Sequence, residues 1–132
     1  MLKFLKLYFF SFFVILTFNL QAQVSFDAKV SKKRLGLNER LRIDFEMNEN
    51  GDNFNPPLFK NFQIISGPQQ AVSRSWVNGV QSFSKTYTYF LTPRSKGNFT
   101  IGQAEVTING EIYKTSPIEI EVTNAVKKPN DP

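Results

Sequence analysis

From Arg40 to Met47 the chain alternates strictly: Leu41, Ile43, Phe45 and Met47 are apolar, while Arg42, Asp44 and Glu46 are charged. Successive side chains of a β-strand point to opposite faces, so this stretch predicts a strand with one buried and one solvated side. Ile118, Ile120 and Val122 alternate with Glu119 and Glu121 in the same manner and predict a second. Further strands are expected at Val24-Ser25-Phe26, Phe62 to Ile65, Val72 to Val77, Gln81 to Leu91, Phe99 to Ile101, Glu105 to Ile108 and Glu111 to Tyr113. From Val24 onward no stretch keeps helical spacing. Turn formers separate the strands. Asn78-Gly79 and Asn109-Gly110 suit two-residue hairpins, whose central residues need positive φ. Gly51-Asp52, Gly67-Pro68 and Pro93 to Asn98 mark longer connections. About eight or nine short strands with a turn about every 8 to 12 residues predict an all-β fold, an immunoglobulin-like antiparallel β-sandwich.

The first residues follow a different pattern. Lys3 and Lys6 precede an apolar run from Leu7 to Phe18, after which Asn19-Leu20-Gln21-Ala22-Gln23 turns polar. This order is that of a secretory signal segment, with small Ala22 at the exit position. The apolar run covers 12 residues, whereas a membrane span needs about 20. The expected organisation is therefore a signal peptide at 1–22, a sandwich domain at 23–122 and a linker-like tail at 123–132, where the alternation stops. The expected location is the periplasm or cell envelope.

Composition narrows the chemistry. With no Cys and no His among 132 residues, the chain lacks thiol nucleophiles, imidazole bases, the usual zinc ligands and disulfides. Stability must come from the apolar core, for which eight Phe, three Tyr and Trp76 remain beyond the leader. Lys3 and Lys6 belong to the leader, so the net charge falls from +5 to +3 in the mature chain. That positive charge is spread over many strands and turns, which does not fit a nucleic-acid partner.

If Asn78-Gly79 closes a tight hairpin, Val77 faces Val80, Trp76 faces Gln81, Arg74 faces Phe83 and Val72 faces Lys85. One side then carries Val72, Arg74, Trp76, Phe83, Lys85 and Tyr87; the other carries Ser73, Ser75, Ser82, Ser84 and Thr86. The mixed aromatic and cationic side either buries its rings with cationic heads at the rim or forms a recognition patch. Exposure of Trp76 and Arg74 separates the two readings. Arg74, Trp76, Phe83 and Lys85 are accordingly the candidate protein-binding residues.

Other motifs have plainer explanations. Asn48 to Asn53 is rich in oxygen ligands, but its spacing is not that of a calcium loop and a polar turn accounts for it. Asp44 with Glu46, and Glu119 with Glu121, share strand faces as any solvated strand would. No Gly-x-Ser-x-Gly and no Gly-rich phosphate loop occurs. No catalytic residue, metal site or cofactor is expected, and the chain is expected not to be an enzyme.

The segments Leu37-Asn38-Glu39-Arg40, Pro56-Pro57-Leu58-Phe59-Lys60-Asn61-Phe62 and Ser66-Gly67-Pro68 resemble the amino-terminal domain of the BatD family of aerotolerance-operon proteins. So do Asn78-Gly79, Tyr87 to Pro93, Gly97, Phe99 to Gly102, Ala104, Asn109-Gly110, Tyr113, Ser116-Pro117 and Val122 in their order and spacing. The resemblance implies an immunoglobulin-like envelope module outside the cytoplasmic membrane. It also implies protein partners, Bat-type proteins with von Willebrand factor A domains, and membrane association only through those partners or a further carboxyl-terminal region. A stand-alone carbohydrate- or surface-binding sandwich is the alternative expectation.

Overall fold

A computed structural model describes residues 23–128. The expected signal peptide at 1–22 and the last residues of the expected tail, 129–132, lie outside the described residues.

Among the described residues the chain forms ten strands: β1 (Phe26–Val30), β2 (Arg34–Gly36), β3 (Leu41–Met47), β4 (Asp52–Asn55), β5 (Phe62–Val77), β6 (Val80–Pro93), β7 (Gly97–Ile101), β8 (Glu105–Ile108), β9 (Glu111–Lys114) and β10 (Ile118–Thr123). One sheet has the order β1-β3-β6-β5, and all its pairs are antiparallel. The opposing layer contains β2-β10-β7 and β4-β8-β9. These two ladders are continuous. The register Gly97↔Val122 through Ile101↔Ile118 resumes unshifted at Glu105↔Lys114 and ends at Ile108↔Glu111. The Asn109-Gly110 turn closes it, with φ of 51° and 80°. Strands β7 and β8 therefore make one arm of a long hairpin, and β9 and β10 the other. In the gap between them, Thr115 N–H donates to Ala104 O at 3.0 Å. Thr115 Oγ1 accepts Ala104 N–H at 2.9 Å. The second layer thus reads β2, β10/β9, β7/β8, β4, and only the β2–β10 pair is parallel. The fold is an all-β immunoglobulin-like sandwich.

The alternation in β3 is what fills it. Leu41, Ile43, Phe45 and Met47 are each fully buried, each stabilising by about 1.5–3 kcal/mol relative to exposure. Across β3, Tyr89 and Leu91 continue the same face; Leu35, Val106, Ile108, Ile120 and Val122 supply the other layer. Phe45 is the hub of the rings. It meets Phe54 at 5.5 Å, Tyr89 at 6.1 Å and Phe59 at 6.4 Å between centroids. Phe99 packs at the margin, edge-on to Phe62, rather than inside the core.

Four local expectations are corrected. The first strand begins at Phe26 rather than Val24, because Asn48 takes up the preceding segment: its Oδ1 accepts Ser25 N–H at 2.8 Å and its Nδ2 donates to Gln23 O at 2.7 Å. Strands β2 and β4 are additional; each is short and lacks a legible alternation. The separate strands expected at Phe62 and Val72 are one strand, β5, interrupted by register shifts between Ile64 and Gln69. Gly67 makes that irregularity feasible: its φ is 114°, and a Cβ there would lie 2.6 Å from Thr88 O. Finally, Thr123 completes β10, and Asn38 clasps Val126 through both of its amide atoms at 2.9 Å.

Candidate functional site

Strands β3 and β6 pair from Leu41↔Leu91 to Met47↔Lys85. Beyond Lys85, β6 has only β5 for a partner, and five further rungs run from Ser73↔Ser84 to Val77↔Val80. At about 3.3 Å per residue this ribbon extends roughly 17 Å past the last β3 pair. Its turn is Asn78-Gly79, with φ of 51° and 76°, the twist that two-residue hairpins require.

The register is the one that the turn predicts: Trp76↔Gln81, Arg74↔Phe83 and Val72↔Lys85. One side of the arm therefore carries Val72, Arg74, Trp76, Gln81 and Phe83. Ser75 and Ser82 hydroxyls hydrogen-bond across the other. The aromatic side continues the core-facing side of the sheet, since Lys85, Tyr87, Tyr89 and Leu91 of β6 lie opposite Met47, Phe45, Ile43 and Leu41. The opposing layer stops short of it. Phe54 of β4 stacks on Tyr87 at 4.1 Å, and the loop ahead of β4 holds the Lys85 ammonium at 3.2 Å from both Asn50 Oδ1 and Gly51 O.

The four candidate residues consequently divide. Trp76 is 69% exposed, and Arg74 is exposed with its guanidinium 5.4 Å from the Phe83 ring centroid. Phe83 is half-buried. Burying this side in the core, the more ordinary expectation for such rings, does not occur at Trp76. Lys85 does not join the exposed group; it is buried, with its ammonium also 5.6 Å from the Tyr87 ring centroid. Lys85 thus ties the oxygen-rich Asn48 to Asn53 segment to the sheet through two of its oxygens, Asn50 Oδ1 and Gly51 O.

Three of the four carboxylates in the strand pairs, Asp44, Glu119 and Glu121, are engaged by neighbouring side chains. Asp44 Oδ1 accepts from Arg42 Nε at 3.1 Å and from Thr88 Oγ1 at 2.6 Å. Glu119 accepts from Thr100 Oγ1 at 2.8 Å, and Glu121 pairs with Arg34 at 3.6 Å. A shallow concavity of about 490 Å³ lies beside Pro57, Leu58 and Gln103; its carboxylate, Glu105, pairs with Lys114 at 3.5 Å.

Residues 28–122 match the family model of the BatD DUF11-like domain. The chain belongs to the BatD family. A search of curated proteins gave no match. The family is one of cell-envelope proteins linked to the aerotolerance operon, and this chain carries an envelope-type module of that kind. Most residues that carry the BatD resemblance are architectural. Glu39 Oε1 accepts Gly36 N–H at 2.8 Å and Oε2 accepts from Lys32 Nζ at 2.6 Å. These contacts hold the Glu39 carboxyl below its usual range, the Gly36 N–H first and Lys32 second. Phe59 is buried at a φ of 50°, and its carbonyl accepts Phe62 N–H at 3.0 Å. Tyr89 is buried too, and desolvation raises its hydroxyl pKa. Only Asn78-Gly79, among those motifs, belongs to the projecting arm.

The arm also has a charge character that motif reading overlooked. From residue 53 to residue 104 the sequence contains no Asp or Glu, while Lys60, Arg74, Lys85, Arg94 and Lys96 all fall within it. The signal lies in the spacing of acids along the chain rather than in the net charge.

Proposed function

We propose that this BatD domain is a non-catalytic protein-binding module of an envelope assembly at the outer face of the cytoplasmic membrane, and that the β5–β6 arm makes the contact. The observation that carries this reading is the arm itself: an exposed Trp76 beside an exposed Arg74, on a ribbon that the second layer leaves uncovered. Large rings next to arginine are the residue types that dominate binding energy at protein interfaces. The family membership supports Bat-type proteins with von Willebrand factor A domains as the partners. Membrane association would then come through them or through a further carboxyl-terminal region.

The test is capture from envelope extract with the mature chain. Recovery of a Bat-type partner by the wild type, reduced about ten-fold or more by Trp76→Ala, is the expected result. Equal capture by both, or none by either, counts against the arm. An exposed Trp on a sandwich also suits a sugar-binding platform, and saturable Trp76-dependent binding on a glycan array would favour that second reading instead.

A further inference from the structure

We infer that the free edge of β5 from Gln69 to Val77 takes up an extended acidic segment of a partner protein as an added strand. The inference rests on the protein-binding reading and gives it a mode and a chemistry.

Three observations lead to it. First, β5 is a terminal strand of its sheet and its edge is unusually long. The other sheet margins are β1 and β7 with five residues each, β2 with three, and β4 and β9 with four each, short edges that give little template for pairing. Strand β5 has sixteen, and the Gly67-Pro68 irregularity protects only the half nearer the sandwich base. From Gln69 to Val77 the register with β6 is unbroken, and the run contains no Pro, no Gly, no Lys and a single charge.

Second, the hairpin geometry determines which groups this edge offers. In a two-residue hairpin the residues flanking the turn, here Val77 and Val80, bond to each other, and bonded and non-bonded rungs then alternate. Gln70, Val72, Arg74 and Trp76 fall on the non-bonded rungs. Their N–H and C=O groups point away from β6, and their side chains stand on the uncovered aromatic side. An incoming strand would find a backbone ladder and a row of side chains on the same residues, which is how strand addition couples affinity to selectivity.

Third, the charge is one-sided. Neither strand of the hairpin carries a carboxylate, and Arg74 has no carboxylate partner among the described residues. Arg74 sits towards the tip, with Lys60 and Arg94 flanking the base where Phe62 pairs with Pro93. A second copy would bring two acid-free hairpins together with their Arg74 groups close by. A segment with carboxylates on alternate residues replaces that repulsion with attraction and steers encounter towards the arm.

Trp76 is the single tryptophan of the chain, so its emission reports directly on this edge. The probe is a capped nine-residue peptide in which glutamate alternates with threonine, titrated into the mature chain. A saturable change in Trp76 emission is expected, about ten-fold weaker for the lysine-for-glutamate peptide and lost when alternate peptide amides are N-methylated. Val72→Pro should abolish the response while leaving the circular dichroism of the fold unchanged, since the Val72 N–H is directed away from β6 and edge strands tolerate proline there. Absence of a saturable response, equal response to both charges, or undiminished binding by Val72→Pro would overturn the inference. So would a dimer in sedimentation that Val72→Pro dissolves, which would assign the edge to a second copy. If envelope capture still depends on Trp76 when the peptides fail, only the strand-addition inference is lost; if capture fails as well, the binding reading goes with it.

Discussion

Glu39 holds the turn between β2 and β3 with both carboxylate oxygens, one on the Gly36 amide and one on the Lys32 ammonium. Because the folded state favours its ionised form, unfolding raises its affinity for a proton; the contribution to stability is present above the ordinary value of 4.5 and is lost as pH falls through the depressed folded value. Glu39→Gln should therefore flatten the acid limb of the stability profile, checked by urea midpoints at a series of pH values below neutrality. A second comparison uses burial directly. Phe45 is fully buried and touches three other rings, whereas Trp76 is 69% exposed. Phe45→Ala should cost about 3–5 kcal/mol, while Trp76→Ala should stay within about 0.5 kcal/mol. Denaturant unfolding of the two variants would separate a core ring from one kept for contact.

At the scale of elements, the long β7/β8 and β9/β10 hairpin depends on Thr115 to cross its gap. Thr115 is 1% exposed and its hydroxyl receives the Ala104 amide. Thr115→Val keeps the shape and strands that donor, so a loss of about 1–3 kcal/mol is expected in thermal or urea unfolding. Much of this layer could be read beforehand. The two Asn-Gly turns set registers that the strands obey, and the β3 alternation identified the buried side without error. Strands β2 and β4 escaped because a three- or four-residue strand between turn formers has no period to detect. The arm was legible in its pairing but not in its exposure. Parity assigns Trp76 and Leu91 to the same side of a sheet; how far the opposite layer reaches along that side is decided by Phe54 and the Asn50-Gly51 loop, distant in sequence. Lys85 was misplaced for the same reason.

For the whole molecule, stability should be graded along the β5–β6 hairpin. Near its base, β6 lies between β3 and β5, while past Lys85 the ribbon stands alone, and isolated two-stranded ribbons are marginal in water. Amides bonded between Ser73 and Ser84 and their neighbours towards the turn should exchange with solvent on the order of 100-fold faster than those joining β3 to β6. Hydrogen exchange resolved by residue would measure that gradient. Comparable protection throughout would mean that something already covers the arm.

The strand that forms half of the arm is also the one that runs through the middle of its sheet. Tension applied at the Asn78-Gly79 tip along the strand axis would be delivered by β6 to the whole Leu41–Met47 ladder at once, in shear, so its rungs would have to yield together rather than peel singly. A cargo hung on this domain would thus pull against the best-buried part of it. Single-molecule extension from that tip should show a higher rupture force than extension from the edge strand β1.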